Sequence, residues 1–387
     1  MDCDVVIVGG ALVGTAAARA LAGTGLRLVL LDAAPPPAAP AGAFDPRVYA
    51  ISPGSQALLA ELGAWPAMDH ERIAIVERMR IFGDDGRAEL AFSAFDAGRA
   101  ELAWIVEAAA IQAALEQVLA GQPNLTVLRP DRPAELAWTA DGLQLTTEGG
   151  AAIRTRLVLG ADGADSWVRD RAAISVSRRD YAQQGVVAHF RCERPHRGTA
   201  HQWFRPDGVL ALLPLPGDHV SMVWSAADDL AEELKAAGDA ELAERVTAAS
   251  GELLGRLEPA SRPLGFPLRL IKVDTLVAPR VALAGDAAHA VHPLAGQGVN
   301  LGFQDVRELA RVLAGREPGR DCGDYLLLRR YERARREDIL LMQTVTDGLQ
   351  RLFGRPEPAV SAVRNWGLRL TNALPPLKSL LMQHALG

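Results

Sequence analysis

Cysteine, aromatic side chains and clustered charge are all scarce in this sequence. Its thiols are Cys3, Cys192 and Cys322, far apart and without a CxxC pair, so neither a disulfide framework nor a thiolate metal site is written into the chain. Aromatic residues make up 5% of the 387 positions, and 41 Lys and Arg stand against 47 Asp and Glu with no long basic block, giving a net charge of -6. That balance lacks the electrostatic footprint of a nucleic-acid-binding protein. No apolar run reaches the roughly 18 to 20 residues that a membrane-spanning helix needs. The opening MDCDVVIVGG has acidic residues where a secretory leader has basic ones, so no cleaved leader is expected and the expected setting is cytoplasmic. A Gly-x-Ser-x-Gly nucleophile turn is also missing, which removes the commonest hydrolase signature.

What is present is a long chain, 49% hydrophobic, with room for two joined domains. Residues 4–8 are a short apolar run, followed by glycines, an Ala-rich segment over 12–21 and a second apolar run over 26–31 that ends in Asp32. This order reads as strand, turn, helix, strand. A Pro- and Ala-rich loop follows over 35–40, then an amphipathic helix over 53–62. Residues 78–92 alternate polar and apolar around Asp85-Gly86, the pattern of a hairpin. A helix is predicted over 105–120 and strands over 125–128, 134–138, 143–147 and 157–160. Strand-like runs between 185 and 224, including 208–215, suggest an antiparallel sheet. A last apolar strand over 281–284 leads into Gly285-Asp286 and an Arg-rich helical tail.

Three constellations carry chemistry. In the first, Gly9-Gly10-Ala11-Leu12-Val13-Gly14 lies between strand and helix, and Asp32 follows 18 residues after Gly14. Gly9 permits the tight turn and Gly14 a close helix approach. The helix N-terminus offers N–H groups to a pyrophosphate, and Asp32 can accept from ribose hydroxyls, so the unit reads as a dinucleotide site. Ala11 departs from the fingerprint, because the second glycine normally leaves room for the pyrophosphate. The second constellation, Gly160-Ala161-Asp162-Gly163, ends a strand and precedes a helix holding Arg169; by itself it fits ordinary turn chemistry equally well. In the third, Gly285-Asp286 follows a strand and runs on through His289 and His292 to Pro293, Gly296, Gln297, Gly298, Val299 and Asn300. Asp286 suits either a helix N-cap or a hydroxyl-binding carboxylate, and the Gly296-Gln297-Gly298 turn presents N–H groups at a positive helix end. His289 and His292 are followed at once by Pro293, with Asp286 the nearby carboxylate, so no metal site is expected.

In this order the three motifs resemble the class A flavoprotein monooxygenases, with the para-hydroxybenzoate hydroxylase-like fold. Within them they are most similar to the ubiquinone-biosynthesis hydroxylases through Asp45-Pro46-Arg47-Val48-Tyr49-Ala50, Trp104-Ile105-Val106-Glu107, residues 210–214, and Gly285-Asp286-Ala287-Ala288-His289 running into His292-Pro293-Leu294-Ala295-Gly296-Gln297-Gly298. The implied fold is α/β: a Rossmann-like FAD-binding domain (1–72, 96–178 and 262–340) with an inserted antiparallel-sheet substrate domain (73–95 and 179–261) and a C-terminal helical segment (341–387). By the resemblance, Gly9 to Gly14 and Asp32 hold the ADP half of FAD and Arg47 approaches it from a loop. Asp162 touches FAD in a motif linked to NAD(P)H, Asp286 binds the ribityl chain, and Pro293 with Gly296 to Asn300 lines the isoalloxazine ring. Besides Ala11, Ala108 departs from the pattern, standing where relatives often carry Asn or Arg.

The implied reaction is reduction of FAD by NAD(P)H and transfer of one oxygen atom of O2 to an electron-rich aromatic ring, with the cofactor supplying the difficult chemistry. No protein catalytic acid or base stands out. The missing second glycine fingerprint fits a reductant that binds without its own Rossmann domain. The expected substrate is a polyprenylated phenol, with His201, Trp203, Leu212 and Pro214 as candidate contacts and sheet packing as their alternative role. Trp366, Leu368, Leu370, Leu374, Leu377, Leu380 and Leu381, beside Arg364, Arg369 and Lys378, suit a peripheral contact with a membrane or a partner hydroxylase in a quinone-biosynthesis complex, and equally packing on the protein itself. Two rival functions stay open on the sequence: a hydroxylase of a small soluble aromatic, and a flavin-binding accessory subunit without turnover.

Overall fold

Val5–Val8, four buried apolar residues, cannot leave either face to water and form a central strand of a parallel sheet. In the computed structural model, which describes residues 1–35, 42–85, 88–96, 98–292 and 298–353, with side chains to 348, this strand pairs in parallel with Leu28–Leu31 and Leu157–Gly160. The six-stranded sheet runs Val277–Ala278, Val281–Leu283, Leu157–Gly160, Val5–Val8, Leu28–Leu31, Leu125–Leu128. Its register aligns Val8 with both Leu31 and Gly160, and Gly160 with Leu283. The three motifs found in the sequence therefore leave the sheet at one edge, the carboxyl edge, where ligands of open α/β sheets bind.

A second sheet is mostly antiparallel, in the order His289–Ala290, Leu264–Val273, Val176–Cys192, His219–Ala227, Gly208–Leu215, Thr199–Arg205, Arg78–Phe82, Glu89–Ser93. The hairpin expected around Asp85 supplies its last two strands and joins it in parallel through Arg78–Phe82. Helices Asp228–Ala236 and Asp239–Ala249 cover one face, where Val186, Phe190, Leu210, Leu212, Met222 and Leu234 form a core of their own. The other face is turned to the cavity described below.

One difference from the sequence reading has a clear cause. The helix expected over 105–120 starts at Ala108, because Ala103–Glu107 is a strand paired on both sides, with Val48–Ile51 and Ala74–Val76. Periodicity could not separate its apolar Ile105 and Val106 from the helical residues that follow. The strands Pro133–Trp138 and Leu143–Thr147 join Ala152–Thr155 in a separate three-stranded sheet rather than the parallel one. Helices Gly298–Ala314 and Tyr325–Phe353 end the described chain. The apolar and basic residues singled out between 364 and 381 lie outside the described residues. Among the described residues, no helix is long and apolar enough to cross a membrane.

Candidate functional site

The turn after Val5–Val8 is closed by backbone contacts that exclude side chains. Gly9 has φ +103°, and a Cβ on Gly14 would lie 1.8 Å from the Gly9 carbonyl oxygen. Gly10 is held from behind, its carbonyl accepting from the Thr15 hydroxyl at 2.7 Å and from the Gln112 amide at 2.9 Å. Asp32 stands beside it, where a Cβ on Gly10 would meet its Oδ2 at 2.6 Å. Ala11 is the N-cap of helix Leu12–Ala20, with ordinary extended backbone and its methyl exposed, so the departure from glycine causes no strain here. No side chain caps that helix and no acidic residue lies in its first turn, so its free N–H groups and positive dipole end face outward. Ala11, Leu12 and Val13 all line the cavity beyond.

Asp162 is turned inward. Its carboxylate accepts from the Ser166 hydroxyl at 2.5 Å and the Val168 N–H at 3.0 Å, and burial raises its pKa. The neighbours Gly163, Ala164 and Asp165, rather than Asp162, line the cavity. Asp286 is different. It lies within the single 3-10 turn Gly285–Ala287, where it caps nothing, and it opens to the cavity. Protein surrounds the carboxylate closely enough to displace much of its water, which pushes its pKa up.

A buried cluster that sequence reasoning missed holds this turn. Asp305, fully buried, accepts from the Gly285 N–H at 3.0 Å, from His289 Nε2 at 2.6 Å and from Arg335 Nε at 2.8 Å. Burial alone would raise the Asp305 pKa, but His289 and Arg335 hold it below the usual carboxylate range. Arg169, also fully buried, donates to the Ala287 carbonyl at 3.0 Å. His292, expected to stand near the same loop, contacts Gln183 Oε1 at 3.2 Å, and burial lowers its pKa to about 4.

Arg47 lines the cavity from a loop anchored by Glu107. The Glu107 carboxylate accepts from the Asp45 N–H at 2.5 Å and from Arg72 Nε and Nη2 at 2.8 and 2.9 Å. Gly298 and Val299 also line the cavity. Asn300 does not; it ties the helix to the strand Val48–Ile51, accepting from the Ser52 N–H at 3.0 Å and donating to the Ala50 carbonyl at 2.9 Å. Pro293, Gly296 and Gln297 lie outside the described residues.

These elements surround one cavity of about 800 Å³. One wall is the carboxyl edge of the parallel sheet and the opposite wall is the free face of the antiparallel sheet, through Val187, Ala200, Gln202, Val209, Ala211, Leu213, Val223 and Ser225. The substrate contacts expected from the sequence are corrected here. His201, Trp203, Leu212 and Pro214 are one residue out of step with this set. Alternate strand residues face opposite sides, so all four point away from the cavity. Leu212 is in the rear core, and His201, 4% exposed, stacks on Trp203 with its pKa lowered to about 4 by burial. The signal was present in the strand alternation, but which parity faces the cavity depends on helices that start only at Asp228, 14 or more residues further along the chain.

The chain matches the FAD binding domain family over residues 2–344. It is 37% identical over 385 residues to the ubiquinone hydroxylase UbiL of Rhodospirillum rubrum, covering 99% of this chain and 89% of that protein. It is 35% identical to the 3-demethoxyubiquinol 3-hydroxylase of Escherichia coli (99% and 98% covered) and 33% identical to the human mitochondrial ubiquinone biosynthesis monooxygenase COQ6 (99% and 92%). Among solved structures, Pseudomonas aeruginosa PqsL in complex with 2-aminobenzoylacetate superposes with TM-score 0.79 at 23% identity, over 94% of this chain and all of that one (100%). The p-nitrophenol 4-monooxygenase PnpA of Pseudomonas putida superposes with TM-score 0.78 at 20% identity (100% and 99%), and both share the fold. With relatives this similar along nearly its whole length, the chain belongs to the FAD-binding monooxygenases, in the family that includes the ubiquinone-biosynthesis hydroxylases.

Proposed function

We propose that this protein hydroxylates the aromatic ring of a polyprenylated phenol in ubiquinone biosynthesis, using NAD(P)H and O2. The observation that carries the reading is the apolar cavity of about 800 Å³, which joins the glycine turn and Asp286 on one side to a sheet face on the other. The residues fit FAD: an uncapped helix N-terminus is available for a pyrophosphate, Asp32 and Asp286 supply carboxylates for ribose and ribityl hydroxyls, and the Gly14 contact leaves no room for a side chain. On this assignment Gly9 to Gly14 and Asp32 hold the ADP half and Asp286 the ribityl chain. Arg47, Gly298 and Val299 stand near the ring, while Asp162 and Asn300 shape the walls without touching the cofactor. Bound FAD supplies the redox chemistry and oxygen activation.

The protein's own part is to bind, orient and exclude water. Val187, Val209, Leu213 and Val223 give the substrate an apolar wall. Asp305, through the Gly285 N–H, keeps the turn bearing Asp286 in place. The division of the chain into a cofactor layer and a substrate layer belongs to this proposal. So does a peripheral association with a membrane: Phe266 lines the cavity yet is 38% exposed, and Leu264 on the same strand is 45% exposed, giving an apolar mouth through which a prenyl tail would enter.

The test is turnover. Purified protein loaded with FAD is mixed with NADH or NADPH and a prenylated phenol, and the product is analysed by mass spectrometry. Addition of one oxygen atom, with substrate-dependent oxygen consumption, is the expected result. Hydroxylation of tail-free phenols alone would replace the prenylated substrate with a small soluble aromatic, and bound FAD without NAD(P)H-dependent oxygen consumption on any phenol would leave only flavin binding. Co-sedimentation with anionic vesicles checks the membrane association.

A further inference from the structure

The sheet wall of the cavity is apolar apart from Gln202, Ser225 and, on the strand Leu264–Val273, Arg269. Gln202, 6% exposed, sits on Thr199–Arg205 between Ile81 of one neighbouring strand and Ala211 of the other. Ser225, 4% exposed, sits on His219–Ala227 between Val209 and Gly185. Both line the cavity, and neither the Gln202 amide nor the Ser225 hydroxyl makes a hydrogen bond to any described residue. Packing alone gives no reason for an amide at a nearly buried place between Ile81 and Ala211, where an unpaired polar group is costly and an aliphatic residue would fit. Such a group is tolerated when a ligand completes it. Arg269 also lines the cavity from this sheet, with Asp165 at 3.5 Å and both side chains largely exposed.

We infer that Gln202 determines specificity by hydrogen bonding to an oxygen substituent of the aromatic ring, with Ser225 as a second, independent contact. The ligand class is a neutral oxygenated ring. The amide carbonyl accepts from a phenol hydroxyl or the amide N–H donates to a quinone or ether oxygen, both neutral groups like the amide itself. The inference rests on the proposed reading of the cavity as a substrate site, and it names the side chain that reads the ring. A site built to bond a hydroxyl discriminates strongly against the analogue lacking it, because its own polar group is then left unpaired.

The experiment compares FAD-loaded wild type with Gln202→Leu and Gln202→Met, two apolar replacements of differing shape, so that one poorly folding variant does not decide the result. The ligands are a phenol and its deoxy analogue, each with and without a short prenyl chain. Binding is read from the change in flavin absorbance, and peroxide released per NAD(P)H oxidised reports how well the ring is placed. Wild type should prefer the phenol at least tenfold. Both variants should bring that ratio close to one and release more peroxide, with FAD affinity and melting temperature unchanged. Persistence of the preference in both variants, or its absence from wild type, overturns the inference. If wild type takes only the tail-free phenol and the variants level that preference, Gln202 keeps its role and the prenylated substrate is lost. If prenylated phenol is hydroxylated but the preference survives in both variants, the function stands and Gln202 is not the reader.

Discussion

Gly14 and Ala11 are three residues apart, yet a methyl group has opposite consequences at the two places. On Gly14 it would lie 1.8 Å from the Gly9 oxygen, an impossible contact unless the helix moves away from the turn. Gly14→Ala should therefore weaken FAD binding at least tenfold and lower the melting temperature. Ala11→Gly relieves nothing and should leave FAD affinity within about threefold, apart from the small entropic cost of glycine. Titration of the apo-protein with FAD checks both. His201 offers a separate test. Its folded pKa is about 4 against an ordinary 6.5, so between those values the unfolded chain binds the extra proton. Stability then falls as pH drops from about 6.5 towards 4, by about 3 kcal/mol when the loss is complete. Denaturant unfolding across that window should show the decline, and His201→Gln should make it shallower by that amount, leaving the share of His292, whose pKa burial likewise lowers to about 4; an equally steep decline in the variant would assign it to other groups.

At the scale of the element, the strand Gly208–Leu215 shows how far sequence reasoning reached. The glycine turn, Asp32 and the Gly285-Asp286 junction were legible because their chemistry is local: strand end, tight turn and helix start follow within a few residues. Which side of Gly208–Leu215 meets the cavity was not, because alternation gives two faces and only tertiary packing assigns them. The Asp305 cluster was hidden for the same reason, its partner Arg335 lying a full helix away in sequence. The two faces make a sharp prediction. Ala211→Phe projects into the cavity and should abolish binding of the aromatic substrate while FAD still binds. Leu212→Ala, next to it in sequence, opens a hole in the rear core and should cost about 2–5 kcal/mol in stability with substrate preference unchanged. Substrate titrations and urea melts on the two variants would show the reverse pattern if the faces were exchanged.

Across the whole molecule, the cavity separates the core around the parallel sheet from the core behind the antiparallel one, and the proposed cofactor site lies along it. A ligand bound there stabilises the folded chain by mass action, about 2.7 kcal/mol at a hundred times its Kd, which for a chain of 387 residues is roughly 3 °C in melting temperature. Asp305 ties that stabilisation to the far end of the chain, since Arg335 on helix Tyr325–Phe353 and the Gly285 N–H share its carboxylate. Asp305→Asn keeps the size and one acceptor oxygen but leaves the buried Arg335 without its full counter-charge, a change of the kind that costs several kcal/mol. Its melting temperature without FAD should fall, as it should for Leu212→Ala. The two variants part on adding cofactor. Leu212→Ala should regain the full FAD-dependent increment, because its damage is remote from the turn. Asp305→Asn should show a smaller increment at the same FAD concentration, because the Gly285–Ala287 turn is no longer held and the Kd rises. Thermal melts at several FAD concentrations measure both increments, and equal increments would mean that Asp305 supports the fold without setting the position of Asp286.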